Sequence, residues 1–239
     1  VSNPNEFALG AHDVAALARR YRERGRVRIR NFLADPAPLA RHLGERIDWR
    51  QVLNAGDKVY ELDAETRAQM SLERKADLDA AIYAGATSGF QFRYESIRVP
   101  DEPGERAARD DALNRFAAWL SDGEPREMLR TITGTPAIDF ADAQATRFSG
   151  GDFLTGHDDL VEGKHRHAAY VCGLTPLWRV EWGGLLLFHA SGGEELRGLA
   201  PEFNVLDVFA VPAEHSVSLV SPAAGEKRVS ITGWLRSRS

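Results

Sequence analysis

The spacing of apolar residues changes about midway along the chain. In "DVAALARRYRER", Val14, Leu17, Ala18 and Tyr21 recur on one helical face, with Asp13 placed to cap the first turn. "RVRIRNFL" then alternates like a short strand. "DAETRAQMSLERKADLDAAIYAG" reads as a charged helix or helix pair ending near Gly85, its charges forming a solvated face. Residues 89–99, "GFQFRYESIRV", alternate strongly and give the first long predicted strand. Leu113, Phe116, Ala117 and Leu120 mark another helix, and a shorter one is expected around Met128 and Ile132.

After about residue 137 the period shortens. "AQATRFS", "DFLTGHDD", "HAAYVCGLT", "GGLLLFHA", "NVLDVFAV", "EHSVSLV" and "RVSITGWLR" are brief β-rich runs separated by Gly, Pro, Asp and Asn. Such closely spaced strands predict a sandwich, jelly roll or barrel. No low-complexity linker or repeat divides the chain. The expectation is one α+β domain over 1–239 with a mainly β core. Residues 1–136 would supply mostly helical support and a sheet extension, and 137–239 the core.

Composition narrows the partners. The chain has 239 residues, 43% hydrophobic and 27% charged, enough to bury a sizeable core. A formal net charge of -5 without a long basic run argues against nucleic acid as a partner. The single cysteine, Cys172, cannot form an internal disulfide, which points to a reducing compartment. No apolar run approaches the roughly 18 residues of a membrane span, and the first residues, "VSNPNEFALG", lack a secretory apolar core. A cytoplasmic protein with no membrane contact is expected, acting on a small-molecule or a protein or peptide substrate.

Candidate chemistry concentrates in "RFSGGDFLTGHDDL", residues 147–160. If this stretch is a strand through its aspartates, His157 and Asp159 share a face and Asp158 points away to solvent. A third metal ligand would come from His165, His167, His189 or His215. His215 has the best context, opening an apolar strand after a proline turn. Two imidazoles and a carboxylate leave open positions on one side of a metal, the arrangement that suits non-haem Fe(II). In "EKRVSITGWLR", Arg228, Ser230 and Thr232 alternate onto one strand face. An arginine pointing inwards is costly unless it meets an anion, and its fork matches a carboxylate. A dicarboxylate bridging metal and Arg228 follows as the expectation.

At this point residues 143–236 resemble the catalytic core of Fe(II)- and 2-oxoglutarate-dependent dioxygenases, in their prolyl-hydroxylase-like branch. The segments "FSGGDFLTGHDD", "RHAAYVCGLTPLW", "WGGLLLF", "PEFNVLDVF", "VPAEHSVSLV" and "RVSITGWL" occur in the family's order. The resemblance implies a double-stranded β-helix (jelly roll) with N-terminal supporting helices. It implies His157, Asp159 and His215 as the Fe(II) ligands and catalytic centre, and Arg228, helped by Ser230, as the binder of the distal 2-oxoglutarate carboxylate. Gly183 and Gly184 match the glycine pair that opens the next core strand, and Arg166 matches a strand-start arginine near the substrate. The implied reaction consumes 2-oxoglutarate and O2, releases succinate and CO2, and hydroxylates an unactivated C–H bond, with a prolyl residue or proline-like molecule among the expected substrates.

Two positions depart from the family's pattern. Phe148 stands where relatives commonly have tyrosine, and Gly173 where many have a tyrosine that bonds the cosubstrate. Tyr170 lies near but on the opposite strand parity. A jelly-roll metal-binding or sensing module of cupin type, without catalysis, is the alternative. A zinc hydrolase lacks an evident general base.

Other residues carry blander expectations. "HRH" at 165–167 reads as a polar strand entrance, His189 as a strand-end histidine, and His12 and His42 as surface residues on helices. Phe90, Phe92 and Tyr94 share a face that is expected to pack helix against sheet. The minority reading makes them, Tyr94 included, a substrate wall. Trp178, Trp182 and Trp234 are expected to be packing residues.

Overall fold

A computed structural model describes residues 6–189 and 196–238. Its helices are α1 (Val14–Arg24), α2 (Ala37–Glu45), α3 (Ala64–Gln69), α4 (Leu72–Ala86), α5 (Pro103–Ala108), α6 (Ala112–Leu120) and α7 (Gly123–Thr133). Strands β1 (Arg26–Arg30), β2 (Arg50–Ala55), β3 (Lys58–Leu62) and β4 (Phe92–Arg98) lie among them. Strands β5 (Phe140–Ala141), β6 (Gln144–Phe148), β7 (Phe153–His157), β8 (Arg166–Gly173) and β9 (Leu186–His189) follow. The last are β10 (Leu196–Leu199), β11 (Val205–Ala210), β12 (His215–Val217) and β13 (Arg228–Arg236).

Local chemistry explains the helix ends. The Asp13 carboxylate accepts from the Ala16 N–H at 2.9 Å and opens α1. Gly25 closes it in the left-handed region at φ 65°, its N–H donating to the Tyr21 carbonyl. Asp63 and Ser71 cap the two charged helices α3 and α4 in the same way. His12 lies just before the α1 cap rather than on the helix, 3.2 Å from the Phe32 carbonyl.

The strands pair antiparallel along the path β1-β11-β8-β13-β6-β4-β7-β12-β9-β10, with the β2–β3 hairpin joined to β4 and β5 to β13. The sheet curls back on itself. Phe188 of β9 meets Phe209 of β11 edge-to-face at 5.1 Å, although the two strands stand near opposite ends of the path. This is the α+β jelly-roll class expected from the strand spacing.

Strand parity sorts the two faces of the sheet. Tyr170 and Cys172 of β8, Leu206 and Val208 of β11, and Ile231 and Leu235 of β13 join one continuous core. That core includes Tyr21, Leu39, Leu43, Leu113, Phe116 and Leu129 from α1, α2, α6 and α7. Burial of these apolar faces stabilises the fold by roughly 25 cal/mol per Å² removed from water. The alternate residues, among them Val171, Asp207, Arg228 and Thr232, are left for the concave face. The Tyr170 hydroxyl accordingly donates to the Asp142 carbonyl at 2.7 Å on the helix side. No helix of the described residues is long and apolar enough to cross a membrane.

One hairpin escapes a reading of the sequence. The first half is more β-rich than its helical periodicity implies, because β2 and β3 precede the strand at 89–99. Strand β3 is exposed along most of its length, so no apolar alternation marks it.

Candidate active site

Register alone brings two histidines together. His215 of β12 is the direct cross-strand partner of His157 at the end of β7, and their rings lie 4.1 Å apart. Each imidazole has its Nδ1 against a backbone carbonyl two residues earlier: Thr155 at 3.0 Å for His157, and Ala213 at 2.8 Å for His215. A donating Nδ1–H fixes the tautomer that leaves the Nε2 lone pair available to a metal. Burial, reinforced by the neighbouring His157, lowers the His215 pKa and favours the neutral form a ligand requires.

Asp159 completes the group, but not by strand parity. Strand β7 ends at His157, and Asp159 takes a left-handed conformation at φ 65°. This turn swings its carboxylate back to within 3.4 Å of His157 Nε2 and 3.5 Å of His215 Nε2. The two side chains meet as parity predicts, but a left-handed turn rather than strand alternation brings them together. Asp158, exposed beyond the strand, accepts from the Leu160 N–H at 2.9 Å. Burial alone would raise the Asp159 pKa, but the hydrogen bond with His157 and the nearby His215 outweigh it and hold the carboxyl low. Ligand atoms of His157, Asp159 and His215 all lie within 4.8 Å of one another, the one such cluster among the described residues. His165, His167 and His189 lie outside it; His167 contacts Ser237 and His189 contacts Ser216 and Glu214.

The cluster opens into a cavity of about 360 Å³. Arg228 enters it from β13 as a 4% exposed side chain. It forms no ion pair or hydrogen bond among the described residues; the centre of the Phe148 ring lies 5.1 Å from its guanidinium carbon. Burial pushes its pKa down to about 10, against a smaller opposing pull from Asp207. A guanidinium so placed is suited to an anion entering the cavity.

Ser230, two residues on, is fully buried and pairs with Thr146 Oγ1 at 3.0 Å. It lines a small adjoining space shared with Arg28, Asp207 and Arg228. Gln144, Thr146 and Phe148 of β6 pair with Thr232, Ser230 and Arg228 of β13 and line the main cavity.

The aromatic face of β4 reverses the packing expectation. Phe90, Phe92, Tyr94 and Phe148 form a ladder with centroid spacings of 5.5, 5.6 and 5.1 Å along one cavity wall. Phe90, half exposed, stands 5.6 Å from the His157 ring at the mouth. The reason is topological: β4 lies between β6 and β7, so its inward face is turned to the cavity while Arg93 on its other face meets Tyr83 and Asp79 of α4.

Arg166 donates from Nη1 to the Asp159 carbonyl at 2.8 Å and stacks 3.5 Å over Trp234, which also lines the cavity instead of serving only as packing. Gly183 and Gly184 both have positive φ, 69° and 62°, just before β9. Gly173 cannot carry a side chain here, because a Cβ would collide with the Glu202 carbonyl oxygen.

A jelly roll whose mouth holds an open His/Asp/His cluster defines a fold and site suited to Fe(II)-dependent oxidation chemistry. Residues 143–236 match the family described as the 2OG-Fe(II) oxygenase superfamily. Among solved structures, a Pseudomonas putida prolyl-4-hydroxylase is similar, with a TM-score of 0.56 and 19% identity over 95% of this chain and 100% of that one. A Burkholderia pseudomallei oxidoreductase of the 2OG-Fe(II) oxygenase family gives a TM-score of 0.58 and 16% identity over 95% and 92% of the two chains. A Trichoplax adhaerens prolyl hydroxylase, solved with a hypoxia inducible factor peptide fragment, gives 0.57 and 14% over 94% and 89%. No curated protein sequence matches the chain. The fold is that of the Fe(II)/2-oxoglutarate oxygenase superfamily.

Proposed function

We propose that the chain is an Fe(II)- and 2-oxoglutarate-dependent oxygenase that hydroxylates an unactivated C–H bond, on a prolyl residue or a proline-like molecule, and that residues 1–239 act as one oxygenase domain. The reading rests on one conjunction: a three-donor His/Asp/His set and a buried guanidinium with no partner among the described residues line the same cavity. The donor set fits a ferrous ion, and Arg228 fits the distal carboxylate of 2-oxoglutarate. Metal, cosubstrate dianion, Asp159 and Arg228 then cancel in formal charge, which removes much of the cost of burying them together. That two similar structures are prolyl hydroxylases supports the substrate class.

When bound, the ferrous ion and 2-oxoglutarate supply the oxidising chemistry: O2 is consumed, succinate and CO2 leave, and one oxygen atom is inserted into the substrate C–H bond. The chain's residues do the rest. His157 and His215 offer Nε2 donors held by their Nδ1 contacts, and Asp159 offers its carboxylate. Arg228 orients the cosubstrate with Ser230 and Thr146 beside it. The Phe90–Phe92–Tyr94 wall excludes water and seats the substrate, with Arg166 at the rim beside Asp159.

The test has two stages. Anaerobic Fe(II) protein titrated with 2-oxoglutarate is expected to develop a weak visible charge-transfer band. Aerobic incubation with prolyl peptides, free proline and cell extracts is then expected to yield succinate and a product one oxygen atom heavier, absent from the Asp159→Ala variant. A metal-binding or sensing module would bind the ion with no response to 2-oxoglutarate.

A further inference from the structure

The strand register aligns a row of residues across four strands of the concave face. Arg28 of β1 pairs with Asp207 of β11, Asp207 with Val171 of β8, and Val171 with Thr232 of β13. Directly opposed residues share a face, so Arg28 and Asp207 stand on the same side as Thr232, Ser230 and Arg228. Arg28, Asp207 and Arg228 also line one small space behind the main cavity.

Asp207 is a buried carboxylate beside the arginine proposed to hold 2-oxoglutarate, and an ion pair between the two would occupy the cosubstrate's anchor. That pair does not form. Asp207 is instead taken by Arg28 in a two-point contact, Nε to Oδ1 at 2.8 Å and Nη2 to Oδ2 at 2.7 Å. Arg28 is further fixed by the Ala200 carbonyl at 3.0 Å and by Glu202 at 3.3 Å. The fork geometry holds the carboxylate more firmly than a single contact would.

Building on the 2-oxoglutarate reading, we propose that Arg28 is a positioning residue for the cosubstrate: by sequestering Asp207 it keeps Arg228 free for the incoming carboxylate. Arg28 lies well outside the segment that matches the oxygenase family. The N-terminal strand thus contributes to the site through Asp207 and Arg228, without itself touching cosubstrate.

The test is 2-oxoglutarate binding to the Mn(II)-loaded protein under nitrogen, measured by calorimetry, beside Mn(II) affinity measured by electron paramagnetic resonance. In Arg28→Met, Asp207 turns to Arg228, and 2-oxoglutarate is expected to bind roughly ten- to a hundredfold more weakly while Mn(II) affinity is unchanged. Turnover under aerobic Fe(II) conditions should show the same change in KM, with kcat retained. Adding Asp207→Asn to Arg28→Met should restore binding, because the competing anion is gone. If Arg28→Met does not fold, Arg28→Gln, which also removes the cation facing Asp207, gives the same contrast with and without Asp207→Asn. Wild-type affinity in the single variant overturns the inference. So does a double variant as weak as the single, since Arg28 would then act otherwise than through Asp207. Wild-type protein that binds no 2-oxoglutarate refutes the functional reading instead.

Discussion

Replacing Arg228 with methionine separates stability from function. The side chain is 4% exposed and has no anionic partner among the described residues. Burial lowers its pKa from the ordinary guanidinium range to about 10. The folded state therefore disfavours the charged form relative to the unfolded chain. Below pH ~10 both states carry the proton, so the full cost applies at neutral pH; it would fade only as pH rises from the folded towards the unfolded value. At 1.36 kcal/mol per unit the difference is about 3 kcal/mol. Methionine fills a similar volume without charge, and loses little beyond the contact with Phe148. The metal-free Arg228→Met protein is expected to be more stable by about 2–3 kcal/mol, a rise of roughly 5–10 °C in Tm for a chain of this size. The cosubstrate effect runs the other way. 2-Oxoglutarate at about a hundred times its Kd should stabilise the wild-type protein by about 2.7 kcal/mol and the variant hardly at all. Thermal melts with and without Mn(II) and 2-oxoglutarate read both effects. A variant that melts lower than wild type, or that is stabilised equally by 2-oxoglutarate, would refute the argument.

Asp159→Ala should abolish Fe(II)-dependent turnover and weaken Mn(II) binding, whereas Asp158→Ala should leave both within about twofold; metal titration beside succinate release separates the two. Gly173→Ala forces a Cβ into the Glu202 carbonyl, and urea denaturation should show a loss of about 1–3 kcal/mol. Phe90→Ala at the cavity mouth should raise the KM for the prime substrate several-fold without changing the affinity for 2-oxoglutarate, which steady-state kinetics with each varied in turn will show. Tyr170→Phe removes a buried donor from the Asp142 carbonyl and should cost about 1–2 kcal/mol in the same denaturation assay, leaving the cavity unchanged.

The candidate site was only partly legible along the chain. His157 and His215 stand in motifs whose residue types and flanking apolar runs mark them, and Arg228 betrays itself as a charge in an inner strand. Strand parity points to Asp159, but the chain does not follow that parity there, since the strand has already ended and a left-handed turn orients the carboxylate. The Phe90–Phe92–Tyr94 stripe is the same whether it faces a helix or a cavity. Periodicity reports that a face is apolar, not what covers it. Arg28 and Asp207 gave no signal, because their relation depends on which distant strands pair.

By itself the sequence determined the alternation of apolar and polar positions. This dictates short strands over the second half, helices over much of the first, and two faces for each strand. Tertiary structure alone decided which strands are neighbours and in what register. Side-chain direction is local, set every second residue by the backbone, but contact across a sheet is set by long-range pairing. That pairing brings His215 against His157, seats Asp207 under Arg28, and leaves the guanidinium of Arg228 without a partner among the described residues.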